Sequence, residues 1–273
     1  TQNGAIRNAT MVHISTCSYG VGIDAIRQAV DDGSFFAKIK VGADPDGDGD
    51  QEKMLAWDKQ RLSEIHDLLK ERSTPWTESG HIRYYLDANG RYDSKERLLR
   101  LLEHADAIGA LEHILLFEEP FPEDYDVDVS DIPVRLAADE SAHTDTDARR
   151  RIELGYGAIA LKPIAKTLSM SLRVAEVARA AGVPCFCADL TVSPLLVDWN
   201  KNVAARLPAL PGMKIGVLES NGNQNYRDWE AMVSYHPAAG AGWIGAKNGL
   251  FELNNEFYTQ SGGILETPTH YRD

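Results

Sequence analysis

Short runs of apolar and β-branched residues alternate with longer helical patterns along the chain, and this alternation constrains the fold more than any other feature. The strand-like runs are Thr10–Ile14, Phe36–Val41, Ile82–Leu86, His113–Phe117, Val134–Ala138, Ala158–Leu161, Pro184–Cys187 and Lys214–Leu218. Between them, Gln51–Arg72, Ser94–Ile108, Asp145–Leu154, Leu168–Ala181 and Pro194–Leu207 read as helices. Several open with Ser, Thr or Asp, whose oxygens can accept from the free amides of a first turn. Strands joined through helices run parallel, which predicts an α/β protein. Eight such units suit a closed (β/α)8-type barrel. No glycine-rich dinucleotide or phosphate loop follows any strand, which argues against a doubly wound open sheet. The barrel is expected over residues 1–220. Residues 221–273, rich in Gly, Asn and aromatics, form a C-terminal segment with a short strand near Leu250–Leu253.

Charge narrows the function. The net charge of −13 is spread along the chain, so no basic stripe exists to meet phosphates or an anionic membrane, and neither nucleic acid nor membrane is expected as a partner. Cys17, Cys185 and Cys187 are odd in number and lack paired metal-ligand spacing, which points to thiols in a reducing compartment. No stretch approaches the roughly 20 apolar residues of a membrane helix, and the first residues lack a basic start before an apolar core. A cytoplasmic location is expected.

The ionisable residues fall at the C-terminal ends of the predicted strands, where barrels of this type carry their chemistry. Lys38 and Lys40 end the second, Asp87 the third, Glu118 the fourth, Asp139 the fifth, Lys162 the sixth, Asp189 the seventh and Glu219 the eighth. Alternation along a strand puts Lys38 and Lys40 on one side, and Asp87 on the same side as Asn89. Converging carboxylates suit a hard divalent cation such as Mg²⁺ or Mn²⁺, and without one they repel. Lysine beside a metal and another cation loses its proton more readily and can act as a base. Singly, each motif has a plain explanation in helix capping or an edge strand; the ordered set is what carries weight.

These residues lie in the motifs "KIK" at Lys38–Lys40, "LDANG" at Leu86–Gly90, "FEEPF" at Phe117–Phe121, "ADES" at Ala138–Ser141, "ALKP" at Ala160–Pro163 and "LES" at Leu218–Ser220. In this order the chain resembles the enolase superfamily, in its muconate lactonizing enzyme and mandelate racemase branch, from about Phe36 to Gly222. The resemblance implies that Asp87, Glu118 and Asp139 ligate Mg²⁺, with Asn89, Glu119 and Glu140 supporting them. It implies that Lys40 and Lys162 are an acid/base pair on opposite faces of a small carboxylate substrate, with Lys38 tuning Lys40, and that the reaction passes through an enediolate. Asp189 and Glu219 are candidates for binding substrate or supporting a lysine. Mandelate racemases carry His and Asp where this chain has Asp189 and Lys162, so the lysine-lysine type fits better. Dipeptide epimerases carry Asp-x-Asp on the eighth strand, whereas Glu219-Ser220-Asn221 stands here, so dipeptide specificity does not carry over. Family members also have an N-terminal capping domain, which this chain is expected to lack; residues 221–273 would complete the barrel or pack against such a domain. A homo-oligomer is the expected assembly.

The resulting expectation is a racemase or epimerase, with acid-sugar dehydratase and cycloisomerase as alternatives sharing the first step. A non-enzyme alternative comes from Asp44–Asp50, which starts like a calcium loop but has Leu55 where the twelfth-position Glu would stand. The eight histidines show no ligand-pair spacing and read as structural or surface residues.

Overall fold

The computed structural model describes residues 6–188, 191–268, 270 and 272. In chain order the strands are β1 (Thr10–Cys17), β2 (Phe36–Lys40), β3 (Arg83–Asp87), β4 (Ile114–Glu118), β5 (Leu136–Ala138), β6 (Ala158–Leu161), β7 (Cys185–Cys187), β8 (Gly216–Glu219) and β9 (Leu250–Glu252). The helices are α1 (Ile23–Asp31), α2 (Gln51–Leu69), α3 (Lys95–Ala107), α4 (Asp145–Glu153), α5 (Leu168–Ala180), α6 (Pro194–Ala204), α7 (Gly222–Asn225), α8 (Trp229–Ser234) and α9 (Asn255–Gln260). Strands β1 to β8 pair in parallel with their sequence neighbours, and β1 also pairs with β8, which closes the barrel. All eight predicted strands are present, with ends within two residues of expectation except that β1 runs three residues further, to Cys17. No described helix is long and apolar enough to cross a membrane.

Local chemistry explains the helix starts. Asp50 accepts from the amides of Glu52 and Lys53 to open α2, and Ser94 accepts from Arg97 to open α3. Thr144 and Asp147 form a reciprocal capping box on α4, and Pro194 sits at the first turn of α6, where its missing amide costs nothing. One expected unit departs from the pattern. No described helix joins β4 to β5, because Pro120, Pro122 and Pro133 interrupt this connection and each removes an amide donor.

The strands are buried on both faces, as a barrel wrapped by helices requires; every residue of β4 and β6 is buried. The final strand belongs to the C-terminal segment and runs antiparallel to β1. The upper part of β1, Ser15 to Cys17, pairs with β2, while its lower part, Thr10 to Val12, pairs with β9, so the last strand fills the seam where β1 and β2 part. That seam is tight. Gly33 has φ +104 and a Cβ there would stand 2.7 Å from the Asn248 backbone; a Cβ on Gly249 would stand 2.7 Å from the Gly33 carbonyl oxygen. Gly33→Ala is therefore expected to lower the unfolding free energy by about 2 kcal/mol or more, from positive-φ strain plus the clash, as read by urea unfolding.

Candidate active site

Strand register brings the charged residues side by side at the C-terminal mouth. Lys40 lies opposite Asp87, and Asp87 lies opposite Glu118. Asp139 and Lys162 follow the last residues of β5 and β6, and Glu219 ends β8. Asp87, Glu118, Asp139 and Glu219 are all buried, as are Lys38 and Lys162. Asp189 lies outside the described residues.

Lys38 is the centre of the charge network. Its ammonium lies 2.9 Å from Asp87, 3.5 Å from Glu118 and 2.9 Å from Glu219, and 4.6 Å above the Tyr85 ring. Burial alone would discharge it, but the three carboxylates hold it charged well above the ordinary lysine value. Lys40, part-buried, donates to Asp87 Oδ2 at 2.5 Å and to Asn89 Oδ1 at 2.5 Å. Burial would raise the Asp87 carboxyl, yet Lys38 and Lys40 together hold it down at about 2. Asn89 also donates to Glu140 Oε1 at 3.2 Å, so it bridges the β3 and β5 sides of the mouth.

The far side is built differently. Lys162 is ion-paired with Asp139 Oδ2 and lies 3.8 Å from Glu140. A second lysine, which inspection of the strand ends passes over, completes this side. The chain turns after β6 with the Lys166 amide donating to the Lys162 carbonyl, and Lys166 Nζ then reaches the Asp139 carbonyl at 2.5 Å and Oδ1 at 3.2 Å. The signal was present in Lys162-Pro163-Ile164-Ala165-Lys166, where a lysine recurs one turn later. Despite burial, Lys162 and Lys166 hold the Asp139 carboxyl below its ordinary value. Glu118 is pushed well above its own by burial, with Asp139 and Glu219 adding to the rise and Lys38 opposing it.

Glu119 anchors the loop that carries Asp139. Its backbone has φ +37, and its Oε2 accepts from the Asp139 amide at 2.6 Å and from Ser141 Oγ at 3.0 Å. Burial raises its carboxyl to about 7 in spite of those donors, and its other oxygen is buried with no hydrogen-bond partner among the described residues.

The carboxylates fit a hard cation. Glu118, Asp139 and Glu140 each offer an oxygen within 4.8 Å of the others, and Glu140 Oε2 is buried without a hydrogen-bond partner. This oxygen cluster takes in Glu140, which the resemblance gave a supporting role, while Asp87, expected as a ligand, is ion-paired with Lys38 and Lys40. Asp87 nevertheless stands beside Glu118 across the strand pair.

A family model described as enolase C-terminal domain-like matches residues 23–232. The chain belongs to that family. No curated protein matches the chain. Among solved structures, this enolase-like chain is similar to a mandelate racemase/muconate lactonizing protein from Herpetosiphon aurantiacus, with TM-score 0.68 and 21% identity over 90% of this chain and 62% of that one. It is also similar to a dipeptide epimerase from Methylococcus capsulatus complexed with Mg ion, with TM-score 0.67 and 21% identity over 92% of this chain and 64% of that one. For a muconate lactonizing enzyme from Klebsiella pneumoniae the values are 0.61, 22%, 78% and 55%. At these identities the likeness shows the shared fold, and the chain spans a little over half to just under two thirds of each structure's length.

Two other sequence features resolve in the structure. In the acidic loop, Lys53 donates to Asp46 at 2.8 Å and Asp48 at 2.6 Å, Asp50 caps α2, and Leu55 is buried inside that helix. The loop thus carries its own counter-charge. The fold brings together histidines that are distant in sequence: the His113 ring lies 5.1 Å from that of His66 and 5.2 Å from that of His81 at the base of the barrel, where His66 also bonds Tyr84.

From within α2, Asp58 ties down the loop that follows Lys40. It is fully buried and accepts from the Gly42 amide at 2.8 Å and from Tyr92 Oη at 2.7 Å. Burial raises its carboxyl from 3.8 to about 6. Native protein therefore binds this proton more tightly than unfolded chain, so the group's stabilisation is complete below the unfolded value and is lost as pH rises through about 6. The unfolding free energy of the wild type minus that of Asp58→Asn should fall by up to about 3 kcal/mol between pH 4 and pH 7, as followed by denaturant titration at each pH. Lys38→Met strips three buried carboxylates of their shared cation and should cost about 3–5 kcal/mol in the same assay.

Proposed function

We propose that the chain removes the proton from the carbon beside a small substrate's carboxylate, and that the net reaction is racemisation or epimerisation. The observation that carries this reading is the placement of two lysines on either side of a buried row of carboxylates. Lys40 approaches from the Asp87 and Asn89 side, and Lys162 from the Asp139 and Glu140 side, with Glu118 between. The names of the solved structures similar in fold, a dipeptide epimerase and a muconate lactonizing enzyme among them, agree with proton chemistry at such a mouth.

Glu118, Asp139 and Glu140 are the residues that would hold a divalent cation, with Asp87 at their side. Such a cation would supply positive charge for the substrate carboxylate. The protein groups do the rest. Asp139 and Glu118 hold Lys162 protonated, the form that delivers a proton. Lys40 is held in place by Asp87 and Asn89, with Lys38 behind it, so its amine reaches the mouth in one orientation. Lys38 and Lys40 share the Asp87 carboxylate. Two amines on opposite sides allow one to take a proton and the other to return one to the opposite face, which inverts the carbon.

Two measurements test this. Mg²⁺ or Mn²⁺ should raise the unfolding temperature of the wild type, and Asp139→Asn or Glu118→Gln should remove most of that rise; an equal rise in both variants would refute ligation by these residues. With a panel of chiral carboxylates in deuterated water, the wild type should exchange the α-proton of both stereoisomers. Lys162→Ala should lose at least about tenfold in exchange with one isomer and largely keep the other, and Lys40→Ala should show the reverse pattern. A keto acid product, trapped by a carbonyl reagent, would instead assign elimination to the same lysine pair.

A further inference from the structure

A second group of cations stands at the other end of the barrel. Arg83 opens β3 and Arg135 immediately precedes β5, so both lie at the N-terminal ends of strands whose C-terminal ends form the mouth. Between them is an open cleft of about 630 Å³, lined also by Gly109, Leu115, Pro211 and Gly212. That volume is in the range of small-molecule sites.

Both guanidinium groups close on one turn. Arg135 Nη1 donates to the Pro211 carbonyl at 3.3 Å, and Arg83 Nη2 stands 3.6 Å from where a Cβ on Gly212 would be. The turn needs glycine, because Gly212 has φ +101 and its Cβ would stand 2.9 Å from Leu115 Cδ1. Arg83 Nη1 donates to the Glu112 carbonyl at 2.5 Å, while Arg83 Nε is buried with no hydrogen-bond partner among the described residues. Each guanidinium has five N–H donors, so most of this capacity is unspent on protein.

Among the described residues neither cleft arginine has an ion-paired carboxylate, whereas several other arginines of this acidic chain do. Acidic residues outnumber Lys and Arg by 41 to 28, and Arg97, Arg100 and Arg150 are all paired with carboxylates. Glu78 and Glu112 influence Arg83 from beyond pairing distance, and Glu112 is exposed at the cleft rim. Burial, then the like charge of Arg135, makes Arg83 a less willing cation, and burial does the same to Arg135. Two half-buried guanidiniums that repel each other and retain free donors are matched by an oxyanion, which arginine can grip through paired N–H bonds.

We infer that the Arg83–Arg135 cleft is a binding site for an oxyanion, the phosphate or carboxylate end of a small molecule, separate from the lysine-carboxylate mouth. Asp106 and Glu112 line the same cleft and are exposed. They disfavour ligands with negative charge spread along their length, so the site selects an anionic terminus on an otherwise neutral molecule.

Calorimetric titration of the full-length protein with inorganic phosphate and, separately, with acetate tests this at low ionic strength, with chloride at matched ionic strength as the control. At least one should bind saturably at this cleft, and the tighter of the two identifies the preferred head group. Arg83→Gln and Arg135→Gln should each weaken binding by about tenfold or more. Lys40→Met and Lys162→Met, which alter the mouth, should leave it unchanged. Unfolding curves without ligand identify variants that fold; if either glutamine variant does not, Arg83→Lys and Arg135→Lys, which keep the charge and lose the fork, should still weaken binding. No saturable binding of either anion, or binding lost only in the mouth-lysine variants, overturns the inference. Deuterium exchange at the mouth should persist in the arginine variants, so the two sites are judged separately.

Discussion

The Lys38 ammonium is the interaction on which the mouth depends. Three buried carboxylates, from β3, β4 and β8, meet at one amine with almost no solvent to screen them. Their mutual repulsion in a low dielectric would otherwise drive protons onto them or force the strand ends apart. A lysine is suited to this position because its ammonium is compact and has three donors that can aim at three strands. The Tyr85 ring beneath supplies a further favourable face for the charge. With the inner cation fixed, Lys40 two residues later has its own orientation restricted through the carboxylate the two lysines share.

The two sides of the mouth solve the same electrostatic problem with different economy of structure. On one side, two lysines alternate along a single strand and meet one aspartate. On the other, two lysines lie one turn apart and bracket a different aspartate, Lys166 at Oδ1 and Lys162 at Oδ2. Each aspartate is thus doubly neutralised, while Glu118 between them keeps a strongly raised pKa. Two depressed carboxyls flank a raised one, and beside them the oxygens of Glu118, Asp139 and Glu140 gather.

Much of this was legible from residue order because a parallel barrel converts sequence into geometry directly. A residue at the end of each strand lies at one mouth, so Lys38, Lys40, Asp87, Glu118, Asp139, Lys162 and Glu219 could be placed by finding strands alone. What escaped depends on chain reversals and on distant partners. Lys166 returns to Asp139 only through the turn after β6. That the Glu140 oxygen gathers with those of Glu118 and Asp139 is set by the turn after β5, which spacing does not reveal. The missing helix between β4 and β5 was signalled by three prolines but hidden by the regular rhythm on either side. The convergence of Arg83 and Arg135 required the Pro211–Gly212 turn, far from both in sequence.

The divided pairing of β1 has a further consequence for how the chain is made. Its lower half is flanked by β8 and β9, whose residues are synthesised more than two hundred positions later. A strand whose partners are this remote contributes contacts of very high sequence separation, which slow the search for the native state. As the polypeptide leaves the ribosome, β2 to β7 can assemble with neighbours already made, while the first strand retains unpaired amides and carbonyls until residue 252 emerges. Barrel closure therefore waits on β8 and β9, and the exposed edge of β1 is where a nascent chain stalled before β9 would recruit a chaperone or pair with another chain.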